Sequence, residues 1–173
     1  MARANKINIE VKIVIKWILM GAIFVLSYII GNKIDRHYKK RADYYNNLFE
    51  FVRHAEREIT LLKSDIVTIM SDYIKGMNSN QNIVFQDVLN SISNNDPIRI
   101  NANYLNENEK REVESFFEGF AKIDSNNQEK FFKRHEDFAI NRVELSRKQK
   151  KEKGELGKKL CILAGIVLII VII

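Results

Sequence analysis

The polar and apolar positions of this chain fall into three regimes. At the C-terminal end, Leu160 to Ile173 reads LCILAGIVLIIVII, fourteen residues without a charge or a proline. A helix with one face in water mixes polar and apolar positions, whereas one that is apolar all round has lipid as its natural solvent. Fourteen residues rise about 21 Å, short of a hydrocarbon layer of roughly 30 Å. Counted from Leu156, with Lys158 and Lys159 snorkelling, the reach is about 27 Å. Residues 156–173 are therefore read as a short membrane-spanning tail, the alternative being a buried terminal helix or hairpin of a soluble domain. A second apolar segment, Ile13 to Gly31, follows a polar lead over residues 1–12 and is interrupted only by Lys16. Trp17 and Tyr28 lie near its two ends, where aromatic rings favour the interfacial zone. A secretory signal peptide is the competing reading, but the stretch after the core, SYIIGNKIDR, lacks a small-x-small cleavage site. The preferred reading is an uncleaved anchor over 13–31.

Between the two segments the spacing is helical. Tyr45, Leu48, Val52, Ala55, Ile59, Leu62, Ile66, Ile69 and Tyr73 step by three and four, an apolar seam about four heptads long. Ser64-Asp65 interrupts it as a candidate cap, which would make two helices of one. The run GMNSNQN from Gly76 is a break, and Ile83–Ser93 a short helix with Val84, Val88 and Ile92 on one face and Phe85 and Leu89 beside it. Asn94 to Asn103 holds the only proline, Pro97, and reads as a loop. Asn106-x-x-Glu109 has the form of a capping box opening a helix through Phe116, Phe117 and Phe120. Asp124-Ser125 ends that helix, and Ser125-x-x-Gln128 opens a last one whose core face is Phe131, Phe132, Phe138, Ala139, Val143 and Leu145. Residues 146–155, SRKQKKEKGE, form a charged helical stalk. The expectation is an all-α protein: a cytoplasmic helical bundle of five or six helices over 32–145, anchored by an N-terminal and a C-terminal membrane helix.

Charge changes this picture only when divided by position. The net charge is +6, yet residues 1–41 and 147–159 together carry sixteen basic against four acidic residues, and 42–146 carry twelve against eighteen. An acidic body between basic collars is unlike a nucleic-acid binder and suits anionic lipid headgroups at the collars. Lys33, Arg36, Lys39, Lys40 and Arg41 after the first segment, with the seven basic residues before the second, outweigh the four that precede or enter the first. The positive-inside rule then puts the central body in the cytoplasm. Trp17, Lys33, Arg36, Lys158 and Lys159 are the membrane-flanking residues.

Candidate chemistry adds little. Cys161, the one cysteine, sits in the apolar tail as a small hydrophobe, and His37, His54 and His135 are scattered, so no disulfide, metal or cofactor site is argued. There is no phosphate-binding glycine loop, HExxH, G-x-S-x-G or CxxC, and the expectation is that the protein is not an enzyme. Glu58, beside the seam, is read first as a helix-surface charge, and Asp124 and Gln128 as helix-terminus residues. The phenylalanines are core, and His135 beside them a packed histidine.

Four places together resemble a known family. They are Leu48 leading into Glu56-Arg57-Glu58-Ile59; the run Phe120-Ala121-Lys122-Ile123-Asp124-Ser125-Asn126-Asn127-Gln128, similar to a Leu-Gly-x-Ser-Asp-x-x-x-Gln junction; the charged stalk; and the aliphatic end from Leu160. The order and motifs resemble stage III sporulation protein AB of endospore-forming bacteria. The resemblance implies a membrane component of the secretion-like channel complex joining mother cell and forespore, in the mother-cell membrane around the forespore. It implies a cytoplasmic domain similar to the F protein of type II secretion systems, and as partners a cytoplasmic secretion-type ATPase, stage III sporulation protein AA, with the other membrane proteins of the channel. Glu56, Glu58, Asp124 and Gln128 are the partner-binding candidates it points to, since an acidic surface suits a basic ATPase face. The alternative is a two-span adaptor or sensor whose seam forms a dimeric coiled coil.

Overall fold

A computed structural model describes the backbone of residues 2–62, 64–77, 82–123 and 128–172, with side chains from residue 12 onward. The elements are α1 (Ala2–Arg57), a π-helical segment (Glu58–Leu62), α2 (Ile66–Lys75), α3 (Ile83–Asn94), α4 (Glu107–Ala121), α5 (Gln128–Gln149), a second π-helical segment (Lys150–Glu155) and α6 (Leu156–Ile172). No strand occurs among the described residues. The chain divides into two compact units, one of residues 1–39 and 148–173, the other of residues 40–147.

The first unit is a pair of apolar helices packed through small residues. Ser27 and Ile23 of α1 face Gly165 of α6, Gly31 faces Lys158 and Cys161, Ile34 faces Gly157, and Tyr38 with Asp35 faces Gly154. Numbers rise on one helix as they fall on the other, so the pair is antiparallel. At Gly165 a Cβ would stand 2.4 Å from the Ser27 Oγ, and at Gly31 one would stand 3.1 Å from the Lys158 carbonyl. Such contacts bring backbones together as apolar-solvated helix pairs do. The large aliphatic residues of both helices, Ile13 to Ile30 and Leu160 to Val171, stay mostly exposed. By length and composition, α1 is a helix able to cross a membrane.

The second unit is a bundle around an aromatic core. Tyr45, Leu48, Phe51, Val52 and Ala55 line the inner face of α1, and Phe85 of α3 and Phe116, Phe117 and Phe120 of α4 close on them. Phe51 is central, with ring centroids 5.2 Å from Tyr73, 5.5 Å from Phe85 and 5.4 Å from Phe120. The helix ends follow local chemistry. Asp65 caps α2 by accepting from the Val67 N–H at 3.1 Å. Asn95, in the left-handed region at φ 56°, ends α3 while the Asp96 N–H donates to the Ser91 carbonyl at 2.9 Å. The Asn106/Glu109 capping box is formed with both bonds in place. The loop before it adds Ile98, Ile100, Ala102 and Leu105 to the core.

Three expectations are corrected. The candidate interruption at Ser64-Asp65 is present, with Asp65 capping α2, but the chain leaves α-helical geometry earlier, at Glu58, and Leu62 is 67 % exposed rather than core. In a π segment each residue turns through a smaller angle, so the three-and-four spacing no longer holds one face inward. With Tyr45, Leu48, Val52 and Ala55 buried inside one chain, the seam offers no coiled-coil stripe running on to Tyr73. On α5 the inner stripe is Phe132, Ala139, Val143 and Ser146, and Leu145 lies off it, 41 % exposed. Ser146 tolerates burial because its hydroxyl donates to the Val143 carbonyl at 3.0 Å. The first apolar segment and the seam's first half belong to a single helix, α1. Asp124, Ser125 and the Asn78–Gln81 part of the earlier break lie outside the described residues.

Candidate functional site

Pairings within the second unit fix the direction of its long helices. Arg41 meets Glu109 and Phe51 meets Phe120, so α1 and α4 run parallel. Asn46 meets Arg147 and Arg53 meets Glu136, so α5 runs against α1. The last turn of this part of α1, the last turn of α4 and the first turn of α5 therefore gather at one end of the bundle. Glu56, Glu58 and Gln128 are all at that end, each half-buried. The fourth candidate, Asp124, lies outside the described residues. Glu58 shapes the corner into α2: its carboxylate accepts from the Ser64 hydroxyl at 3.2 Å and its carbonyl from the Ser64 N–H at 3.3 Å. Beside it Leu61 is 75 % exposed and Leu62 nearly as much, an apolar tip on a polar end. Sequence spacing missed this tip because Leu62 fits the core seam.

Toward the opposite end lies a buried ionic knot. Glu109, 2 % exposed, binds Arg41 with one oxygen and accepts from the Asn106 N–H at 3.0 Å with the other. Arg142 approaches the first oxygen at 3.8 Å and pairs with Glu112. One carboxylate thus links α1, α4 and α5 as well as capping α4. Tyr45 lies against the knot, and burial, followed by the Glu109 charge, raises its hydroxyl pKa well above the usual tyrosine value. The Asn106/Glu109 spacing signals the cap, but nothing local signals Arg41, 68 positions away.

Sequence reasoning also missed two grooves with basic linings. One, between α1 and α2, is lined by Phe49, Glu50, Arg53, His54, Arg57 and Tyr73. The other, between α4 and α5, is lined by Arg111, Glu112, Ser115, Arg134, His135 and Phe138. His135 is the packed histidine expected, its ring 4.3 Å from Phe131 and 5.0 Å from Phe116, and burial followed by the Arg134 charge lowers its pKa. Of the membrane-flanking residues, Trp17, Lys33, Arg36 and Lys159 are exposed, and Lys158 reaches over the Tyr28 ring at 5.8 Å.

An aromatic bundle in one unit and, in the other, a glycine-packed helix pair that includes one helix long and apolar enough to cross a membrane make this a helical-bundle protein of the kind that associates with membranes. Within that class the chain belongs to the family of stage III sporulation protein AB, whose profile matches residues 16–173. No curated protein and no solved structure gives a match.

Proposed function

We propose that the protein is a non-enzymatic membrane subunit of a secretion-like channel complex used in endospore formation, and that its bundle couples a cytoplasmic ATPase to that assembly. Both apolar helices cross the membrane, and residues 40–147 face the cytoplasm of the mother cell. The observation that carries this reading is the extent of the family match, which takes in both apolar segments and the bundle between them. The antiparallel packing of α1 on α6 supports two crossings, since a pair of single spans joined by one domain must run in opposite directions. The end carrying Glu56, Glu58 and Gln128 with the exposed Leu61 and Leu62 is the docking face for the ATPase, stage III sporulation protein AA by family resemblance. An apolar centre with a charged rim is the usual anatomy of such a face. The bundle plays the part that the F protein plays in type II secretion.

The test has a cellular and a biochemical arm. Deletion is expected to arrest spore development, and the full-length chain in detergent to retain the purified ATPase. Normal sporulation in the deletion strain would remove the reading altogether. Retention of the ATPase that survives Leu61→Ser with Leu62→Ser unchanged would remove the assigned face.

A further inference from the structure

The groove between α4 and α5 holds positive charge that the fold does not use. Its cavity is about 370 Å³, with Arg111, Glu112 and Ser115 from α4 and Arg134, His135 and Phe138 from α5. The antiparallel register sets Phe116 against His135 and Glu112 against Arg142, so Arg111 and Arg134 line the notch from its two ends rather than face to face. Two of the carboxylates nearby are already engaged: Glu112 pairs with Arg142, and Glu107 with Lys110 at 2.8 Å. Arg111 is steadied by its own helix, donating to the Glu107 carbonyl at 3.3 Å and to Asn108 Oδ1 at 3.1 Å. Among the described residues neither Arg111 nor Arg134 makes an ion pair. The α1–α2 groove differs in this respect, since Arg53 there pairs with Glu136 at 3.6 Å and Glu50 lies in its wall.

Two exposed guanidiniums, neither held in an ion pair although Arg111 helps lower the Glu107 pKa, on an otherwise acidic bundle, select against basic partners and for oxyanions. The planar guanidinium matches a carboxylate in two parallel hydrogen bonds. The rest of the lining is not built for a small free ion. Phe138 and the face of the His135 ring are apolar surface, and a cavity of about 370 Å³ takes several side chains rather than one anion. We propose that this notch binds an acidic segment of a partner protein, Arg111 and Arg134 gripping its carboxylates while Phe138 and His135 receive an apolar side chain beside them. This surface is separate from the end that carries Glu58 and Leu61, and it calls for the opposite charge on its partner.

The test uses the full-length chain in uncharged detergent, with Cys161→Ala and a fluorine-bearing tag on Glu118→Cys, an exposed position one turn beyond Ser115. The probe is a short peptide of alternating glutamate and leucine, compared with its glutamine counterpart and with inorganic phosphate. The glutamate peptide should shift the fluorine resonance saturably and the other two should not. Arg111→Gln or Arg134→Gln, both surface changes that leave the fold intact by circular dichroism, should weaken the response about tenfold. Lys150→Gln with Lys151→Gln, which lowers the charge of the basic run in the other unit, should leave it unchanged. Absence of a saturable shift, an equal shift with the glutamine peptide, a response to phosphate alone, or indifference to both arginine substitutions would each overturn the proposal.

Discussion

Glu109 shows how much of the bundle rests on a single side chain. A buried carboxylate is costly to desolvate, and it persists only where charge and hydrogen bonds compensate. Here Arg41, Arg142 and the α4 cap all supply compensation. Glu109→Ala should destabilise the bundle by about 3–5 kcal/mol, because it takes the carboxylate from the half-buried Arg41. Asn106→Ala, which removes only the cap bond, should cost about 1 kcal/mol. Denaturant unfolding followed by circular dichroism separates the two, and equal costs would show that the ion pair adds nothing. The tyrosines set a pH limit of the opposite kind. Burial raises the hydroxyl pKa of Tyr44, Tyr45, Tyr73 and Tyr104 above 10.0, Tyr104 to about 12. In the unfolded chain these groups ionise near pH 10, while the folded chain still holds their protons. Their contribution is complete below that pH and is lost as pH rises toward the folded values. Unfolding should therefore set in above about pH 10, with tyrosinate absorbance appearing together with the loss of helix. Tyrosinate absorbance rising well before helix is lost would contradict this. The acid-side counterpart is His135, whose lowered pKa makes its contribution complete above pH 6.5 and lost as pH falls through its folded value.

Elements were legible in the sequence wherever a local signal fixed them. The Asp65 cap and the Asn106/Glu109 box each announce a boundary within a few residues, and the all-apolar tail lies within one helix, α6, from Leu156. Periodicity failed where geometry changed underneath it. Leu62 fits the seam to the last step, but the π turn from Glu58 swings Leu61 and Leu62 outward, and no propensity foretells a π turn. The candidate site suffered more. Arg111 and Arg134 look like ordinary helix-surface charge in sequence, and only the packing of α4 on α5 places them on one notch. The glycines of α6 were likewise silent until α1 lay beside them. They lead to a graded prediction. Gly165→Leu and Gly31→Leu place a side chain where Ser27 and the Lys158 backbone already stand, and should cost about 1–3 kcal/mol. Gly21→Leu, with nothing within 4 Å of its Cβ position, should cost far less. Thermal unfolding of the full-length chain in detergent gives the ranking, and a Gly21 effect as large as that at Gly165 would rule out the helix pair as a packed unit.

At the scale of the whole molecule, the division of the chain is also a division of solvents. Most aliphatic side chains from Ile13 to Ile30 and from Leu160 to Val171 are left exposed, whereas the bundle encloses its aromatic ones. Burying the exposed set in lipid is worth roughly 25 cal/mol per Å² of apolar surface, a gain that water denies it. In the proposed function the bundle lies at the cytoplasmic face, and the basic residues that flank the two apolar segments, Lys33, Arg36 and Lys39 with Lys148, Lys150, Lys151 and Lys153, are what supports that side. That assignment can be checked with a thiol reagent that does not cross membranes, on a chain bearing Cys161→Ala and Asp87→Cys, an exposed site on α3. Intact cells should leave Asp87→Cys unmodified, and permeabilised cells should show full labelling. Labelling in intact cells would place the bundle outside, where no cytoplasmic ATPase can reach Glu58 or Leu61. The coupling role would then fall, while the fold and the two apolar helices would stand unchanged.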